Sequence, residues 1–396
     1  MTVSDRALAI WIGVIAAAVY VAAGVGLSTD YDYYGRLADA ILHGRWWLTE
    51  APPWLNELLD CGDGRFCVVY PPLPAILSLP ILPFTTTSVA QVVASRVGGG
   101  ASAGLLYWGL RGYGAPRAYA LAGTILSAFG TTLLFSSVDG RAWFAAHSAA
   151  MLFLSAAFAV AARGGSALVV GGLIGVSALA RLPVAFAAPA LALLCARRSE
   201  APYSRVLRDV IAGGAPFALV YVGYNLLRWG TILDDGYARL TQGDIFFNFG
   251  LFSPLYLPRQ LYAIFLQGPE LVPNTPFFIR PRFIGMALFY TTPAFLWIFL
   301  ALREVRRDAR VAATWLAALL ALLPDLFHGT VGFQQFGYRF SLDAQPMLVA
   351  LALAGDGLRR GAWRAWPSAL FVIAIVLSLA MNVYATIAIT RFEYWQ

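Results

Sequence analysis

Residues 7–27 read ALAIWIGVIAAAVYVAAGVGL, a run of 21 residues without a charged side chain. At about 1.5 Å of rise per residue, a helix of this length crosses the ~30 Å hydrocarbon layer of a bilayer. Similar runs recur to the end of the chain, so the first one is not simply a cleaved signal peptide. The 396 residues are 59% hydrophobic and 12% charged, against roughly 25% charged in a soluble domain. The sequence therefore predicts an all-α polytopic membrane protein.

The apolar runs predict about eleven transmembrane helices in one transmembrane domain over 1–396, with no separate soluble domain. Two of the runs, 71–110 and 166–196, are broken. Prolines crowd residues 71–84 and interrupt helical hydrogen bonding, so this part is either a short span or a half-inserted helix. The predicted runs are 7–27, 71–110, 118–137, 142–162, 166–196, 208–228, 283–302, 311–327, 341–355 and 366–390.

Arginine alone carries the positive charge, because the chain has no lysine and its net charge is +7. A lysine Schiff base or general base is therefore excluded. The arginines cluster in the connections 111–117, 197–208, 303–310 and 359–364, which is typical of cytoplasmic loops and does not require nucleic acid. This orientation places residues 28–70 outside as a first extracytoplasmic loop. It also places residues 229–282 outside, as a second segment that resembles a lid or a re-entrant stretch.

The first outer loop, 28–70, holds seven acids against three arginines. Asp30 and Asp32 follow the first apolar run closely, where partial desolvation raises a carboxyl pKa and suits a general base. The competing interpretation is that one of them caps the helix that begins near Tyr33. That helix is predicted to be amphipathic over 33–48 and to lie flat in the interface. Cys61 and Cys67 bracket a turn-rich stretch and are candidates for a disulfide rather than for a metal site.

Polar residues elsewhere in the apolar runs are further candidates, because charge inside a membrane is costly. His147 lies within a span, and Arg181 lies between two short runs ahead of a proline. Arg339 and Asp343 are four residues apart near a span. Arg181 is predicted either to reach the interface by snorkelling or to bind a phosphate. Arg339 is predicted either to form a surface ion pair with Asp343 or to bind a lipid phosphate. The second outer segment adds three further phosphate candidates, Arg259, Arg280 and Arg282.

Several reaction classes lack their sequence signatures. The chain shows no phosphate-binding loop, zinc motif or serine nucleophile elbow. Only three histidines occur, so a multi-histidine metal site is not expected. The sequence therefore shows no evident phosphate-binding site for a water-soluble nucleotide donor.

Four patterns, taken in order, resemble the GT-C superfamily of membrane glycosyltransferases, which includes protein O-mannosyltransferases and lipid A aminoarabinose transferases. The first is DYDYY at 30–34 with AILHGR at 40–45, and the second is YPPLPA at 70–75. The third is ARLP at 180–183 followed by NLLRWG at 225–230. The fourth is FGYR at 336–339 with Asp343. Many members of this superfamily carry extra helices or a soluble C-terminal domain, and this chain ends near its last apolar run.

The resemblance implies a helical membrane fold with interfacial helices in the first outer loop. It implies an inverting reaction that uses a polyprenyl-phosphate-sugar donor, with Asp30 or Asp32 as the base. Arg181, Arg339 and His147 are expected near the donor phosphate. Tyr70, Tyr338, Asp343 and Glu50 are expected to line the cavity. No cofactor is firmly implied, and the resemblance leaves a divalent cation open.

The predicted function is transfer of a sugar from polyprenyl phosphate to a hydroxyl of a glycan or lipid. The predicted site faces the extracytoplasmic side of the inner or plasma membrane and serves envelope or cell-wall synthesis. Membrane lipids are expected partners, and nucleic acid is not. Two alternatives stay open at this point. The chain is compatible with a lipid or sugar transporter or flippase, although no internal repeat supports this. It is also compatible with a non-catalytic subunit that binds a polyprenyl lipid.

Overall fold

The structure is a computed structural model that describes residues 4–24, 26–272, 279–280 and 282–392. These residues are mainly helical, as the sequence predicts. The α-helices are α1 (Asp5–Ala23), α2 (Tyr33–Leu42), α3 (Leu73–Ser78), α4 (Thr87–Tyr113), α5 (Arg117–Phe129), α6 (Leu133–Asp139), α7 (Ala142–Ala162), α8 (Ala167–Ala178), α9 (Ala188–Ser199), α10 (Tyr203–Trp229), α11 (Asp235–Leu240), α12 (Leu257–Phe265), α13 (Leu288–Thr291), α14 (Ala309–Leu326), α15 (Gln345–Gly357) and α16 (Ala369–Phe392).

Short 3₁₀ helices and four two-stranded pairings complete the described secondary structure. The 3₁₀ helices are Leu82–Phe84, Leu182–Ala187, Ile245–Phe247, Pro254–Tyr256, Pro293–Glu304 and Arg339–Ala344. The strands are β1 (Leu58–Asp60), β2 (Phe66–Val68), β3 (Glu270–Leu271), β4 (Ile279–Arg280), β5 (Ile284–Met286), β6 (Gln335–Gly337), β7 (Leu358–Arg359) and β8 (Ala362–Trp363). Only the β5–β6 pair is parallel among the described strands, and it joins two distant parts of the chain.

Six of the described helical stretches are long and apolar enough to cross a membrane, and a bent pair makes seven if it is one span. The six are Asp5–Ala23, Ala142–Ala162, Leu182–Ser199, Tyr203–Trp229, Ala309–Leu326 and Ala369–Arg391. The bent pair is α5 with α6, at 46°. Helices also occupy the other predicted runs, but they are short or too polar to meet the same measure.

Helix α4 is long but is not among these candidate spans. It has 27 residues but carries Gln91 and Arg96, both buried, and a run of glycines. It packs between α1 and α7. A Cβ on Gly100 would lie 2.3 Å from the Ala17 backbone nitrogen, and one on Gly104 would lie 2.2 Å from the Ala9 carbonyl oxygen. Small residues let the helix backbones approach closely, as in membrane helix pairs.

The arginine-bearing connections gather at one end of the molecule, which we call the arginine-rich end (residues 108–117, 163–166, 197–205, 303–310 and 356–366). Arg111 donates to Asp5 at 3.0 Å, joining α4 to the start of α1. Arg310 donates to the Tyr113 carbonyl at 3.2 Å. Residues 28–70, 229–272, 282–287 and 328–338 contact one another, and we call this part the loop-rich end.

Helix α2 is shorter and more enclosed than the predicted amphipathic stretch over 33–48. It ends at Leu42, and Gly44 follows with a φ of 71°, a left-handed conformation that suits glycine. Six of its ten residues are buried, against α3 and α4. Gly35 permits this contact, because a Cβ there would lie 2.0 Å from the Thr87 carbonyl oxygen.

Candidate functional site

A buried ion cluster joins three distant parts of the chain near the loop-rich end. The Arg181 guanidinium donates to Asp343 at 2.6 Å and 3.1 Å, and to Asp325 at 3.3 Å. Arg181 precedes the 3₁₀ turn that begins the span Leu182–Ser199, and Asp325 lies in the last turn of α14. Both carboxylates are buried. The cluster therefore places two carboxyl groups around one arginine.

His147 completes this cluster from the second turn of α7. Its side chain is fully buried, and Nδ1 lies 3.3 Å from Asp343 Oδ1. Neither ring nitrogen forms a hydrogen bond with the described residues. His147 and Arg181 therefore both lie beside Asp343. Two of the residues predicted to contact a phosphate thus contact a carboxyl group of the protein itself.

Arg339 is buried and differs from Arg181 in having no carboxylate partner among the described residues. Its Nη1 donates to the Phe333 carbonyl at 2.8 Å and to Gln335 Oε1 at 3.2 Å. Its Nε is buried and has no hydrogen-bond partner in the part of the chain that the structure describes. The guanidinium lies 5.4 Å from the centre of the Phe340 ring, and that of Arg181 lies 5.2 Å from the same ring. The Phe340 ring thus contacts Arg181, which is paired with carboxylates, and Arg339, which is not.

Glu57, from the segment 28–70, faces the same region. Trp143 Nε1 donates to Glu57 Oε2 at 2.7 Å and, as a bifurcated donor, to the Tyr70 hydroxyl at 2.7 Å. Glu57 is only partly exposed, and burial raises its pKa from 4.5 to about 7. The Trp143 hydrogen bond and the positive charge of Arg339 act in the opposite direction. A carboxyl group with such a pKa changes charge near neutral pH.

Aromatic side chains surround Glu57. The Tyr31 and Trp143 rings lie 5.0 Å apart, and Tyr33 and Tyr70 meet edge to face at 5.8 Å. The Glu57 backbone N–H donates to the Tyr33 hydroxyl at 3.1 Å. Tyr31, Tyr70 and Trp143 are each partly exposed, whereas Tyr33 is fully buried. The Glu57 carboxylate therefore lies beside partly exposed aromatic side chains.

Two devices hold the loop that presents Glu57. Cys61 and Cys67 form a disulfide, with Cα atoms 5.9 Å apart, across the β1–β2 hairpin. Arg228, buried at the end of α10, donates to the Val68 carbonyl at 2.6 Å and to Asn225 at 2.7 Å. The strand that leads to Tyr70 is thereby fastened to a membrane-spanning helix.

The two aspartates predicted as bases occupy different environments. Asp32 is buried, accepts from Arg36 Nε at 2.7 Å and from the Thr87 hydroxyl at 2.7 Å, and precedes α2. It occupies the position of a helix cap, but its side chain forms no capping hydrogen bond. Asp30 is exposed. Asp32 therefore anchors α2 to α4, whereas the Asp30 carboxylate is accessible.

The remaining predicted residues lie apart from the cluster or support it. Tyr338 is buried and donates to Gln260 Oε1 at 2.9 Å. Arg259 is exposed on α12 and binds the carbonyls of Phe246 and Gly329. Glu50 is exposed just after the bridge that joins Leu48 to Phe66.

Sequence reasoning does not single out Glu57 or Asp325 as site residues. Asp325 carries a signal, since it is an acid inside the apolar run 311–327 and intramembrane acids are rarely incidental. Glu57 carries only a compositional signal, as one of seven acids in its loop. Its environment depends on Trp143, which is 86 residues away.

Within the described ranges, no group of three His, Cys, Asp or Glu residues is arranged to hold a metal ion. No family model, curated protein or solved structure matches this chain.

Proposed function

We propose that this chain is a membrane glycosyltransferase of GT-C type that moves a sugar from a polyprenyl-phosphate donor to a hydroxyl acceptor. The proposal takes the loop-rich end as extracytoplasmic and the arginine-rich end as cytoplasmic, in agreement with the positive-inside rule. The membrane would be the inner or plasma membrane. We also propose about eleven membrane crossings, with short helices such as α15 counted as spans.

Arg339 is the observation that carries the proposal. A buried guanidinium normally has a carboxylate partner, since an unpaired charge in a poorly solvated site is costly. Arg339 has none among the described residues, and its Nε is free of protein partners. A guanidinium fork matches the geometry of a phosphate. A lipid phosphate bound there would supply the missing negative charge.

The neighbouring cluster gives that phosphate a fixed electrostatic setting. Arg181 is held by Asp343 and Asp325, so it would keep a fixed position beside the donor. An acid of the first outer loop, Asp30 or Asp32 by the resemblance, would take the acceptor hydroxyl's proton. The hydroxyl oxygen would form a bond to the anomeric carbon, and the carbon–oxygen bond to phosphate would break. Arg339 would stabilise the departing phosphate, an interaction that is strongest when prearranged.

Transfer by the purified full chain in nanodiscs tests the proposal. Polyprenyl phosphates bearing labelled mannose, glucose or arabinose would serve as donors, and methyl glycosides as hydroxyl acceptors. We expect sugar transfer, and we expect Arg339→Gln to lower it about 10²–10³-fold, the usual cost of one preorganised transition-state donor.

Arg239→Gln is the matched control, because Arg239 is exposed at the same end and pairs with Asp235 at 2.5 Å. It should transfer like the wild type. Full activity in Arg339→Gln would refute the phosphate assignment. Movement of labelled lipid across sealed vesicles without any transfer would favour the transporter instead. Binding of the lipid with neither transfer nor transport would favour the non-catalytic subunit.

A further inference from the structure

Glu57 is a partly exposed acid that differs from three buried acids of this protein in its partners. Asp343 and Asp325 are paired with Arg181, and Asp32 is paired with Arg36. Glu57 has no ion pair among the described residues, and only its Oε2 accepts a side-chain hydrogen bond, from Trp143. Its Oε1 therefore keeps its full capacity to accept. A half-buried carboxylate oxygen without a protein partner is suited to accept from a ligand.

The groups around Glu57 define the chemistry of that ligand. Tyr31, Tyr70 and Trp143 present partly exposed rings and a phenol beside the carboxylate. Aromatic rings offer a flat apolar face, and a carboxylate is the strongest acceptor for neutral hydroxyl groups. An anionic ligand would be repelled by Glu57, and an apolar one would leave the carboxylate desolvated without a partner. A sugar ring, with hydroxyls at its rim and C–H groups on its faces, satisfies both requirements.

We propose that Glu57, Trp143, Tyr70 and Tyr31 form a subsite that binds the hydroxyl groups of a neutral sugar. Glu57 Oε1 accepts from a sugar hydroxyl, Trp143 fixes the carboxylate through Oε2, and the Tyr70 hydroxyl is free to donate its own proton to the ligand. Burial lifts the pKa of Glu57 towards neutrality, which agrees with a carboxylate held where water does not fully solvate it. The subsite rests on the proposed function only for its place in a reaction, since sugar binding is measured without transfer.

The sugar has two sources in the proposed reaction, the donor lipid and the acceptor glycan. In the donor arm, binding of polyprenyl phosphate is compared with and without an attached mannose, glucose or arabinose. In the acceptor arm, binding of methyl glycosides is measured with bare polyprenyl phosphate already bound. Both arms use the full chain in nanodiscs, as wild type, Glu57→Gln and Trp143→Phe. The matched control is Asp63→Asn, which changes an exposed acid in the same loop, at a φ of 56° that asparagine tolerates.

Loss of a hydrogen bond to a charged group weakens binding by about 10- to 100-fold. We therefore expect Glu57→Gln to lose that factor in one arm, for the sugar-bearing lipid or for the glycosides. It should bind bare polyprenyl phosphate as the wild type does, which also shows that the variant is folded. Trp143→Phe should lose part of the same factor, and Asp63→Asn none.

The subsite is overturned if the wild type shows no sugar-dependent binding in either arm, or if Glu57→Gln equals the wild type in both. Sugar-dependent binding that needs Glu57, in a protein that transfers nothing, would leave the subsite standing and refute the transferase alone. If the wild type transfers sugar and Glu57→Gln does so with the same KM for donor and acceptor, the subsite alone is refuted.

Discussion

Glu57→Gln should make the protein more stable at alkaline pH, although it removes a hydrogen-bonded side chain. Burial raises the Glu57 pKa from 4.5 to about 7, so the folded state binds this proton more tightly than the unfolded state. Stability is therefore lost as the pH rises from 4.5 to 7, and the full cost remains above 7. At ~1.36 kcal/mol for each pH unit between the two pKa values, that cost is roughly 3 kcal/mol. Solvent at this partly exposed carboxylate reduces the expected gain to about 1–2 kcal/mol.

The assay is thermal unfolding of the full chain in one detergent, repeated at about pH 5 and about pH 8, on either side of the shifted pKa. The difference between Glu57→Gln and the wild type should be small at the acidic pH and should grow in favour of the variant at the alkaline pH. The amide oxygen introduced by Glu57→Gln would still accept from the Trp143 N–H, so that hydrogen bond is largely kept. Asp63→Asn, at an exposed acid, should show no such trend. An equal or lower relative stability of Glu57→Gln at the alkaline pH would refute the idea that the carboxylate is ionised at a cost.

Two further predictions concern structure that supports the site. Arg181→Gln removes the cation from Asp343 and Asp325, so we expect a loss of about 3–5 kcal/mol, the usual cost of breaking a buried ion pair. The melting temperature in detergent checks this, and a loss no greater than that of Arg239→Gln would contradict it. Gly35→Ala places a Cβ 2.0 Å from the Thr87 carbonyl oxygen and should cost about 1–3 kcal/mol by overpacking. Proteolysis at residues 28–70 should become faster in this variant, and unchanged protection would show that α2 is not held by that contact.

The membrane-spanning architecture follows from the sequence because its cause is local. The run 142–162 coincides with α7, and the run 208–228 lies within α10, since each is a continuous apolar stretch bounded by turns. The run 71–110 is harder to interpret. Its second half is α4, whose Gln91 and Arg96 are buried by neighbouring helices. Such polar residues lower the mean hydropathy of the run. Only tertiary packing explains why they are buried.

The site is predictable only in part, because its contacts are non-local. The sequence singles out Arg181, His147 and Asp343 one by one as costly groups in apolar runs. It does not show that Arg181 meets Asp343 across 162 positions, so the pairing that occupies Arg181 is invisible to it. For Asp32, the sequence predicts the capping position, but the side chain instead binds Arg36 and Thr87. Glu57 gains its character from Trp143 and from burial, neither of which is visible in its own stretch of sequence.

The contrast between Arg181 and Arg339 argues that the unpaired charge is not a failure of packing. Both guanidiniums lie over the Phe340 ring, at 5.2 Å and 5.4 Å, so both share the same poorly solvated surroundings. Among the described residues, the fold supplies Arg181 with two carboxylates and Arg339 with only a carbonyl and an amide oxygen. In that part of the chain, the fold places two acids beside Arg181 and none beside Arg339. An unpaired buried charge lowers the stability of the folded state, so its retention at Arg339 favours a function for that charge. Charges left unpaired in a poorly solvated site point to functional positions. Arg339 and Glu57 are two such groups among the described residues, one suited to a phosphate and the other to hydroxyls, and a sugar phosphate carries both.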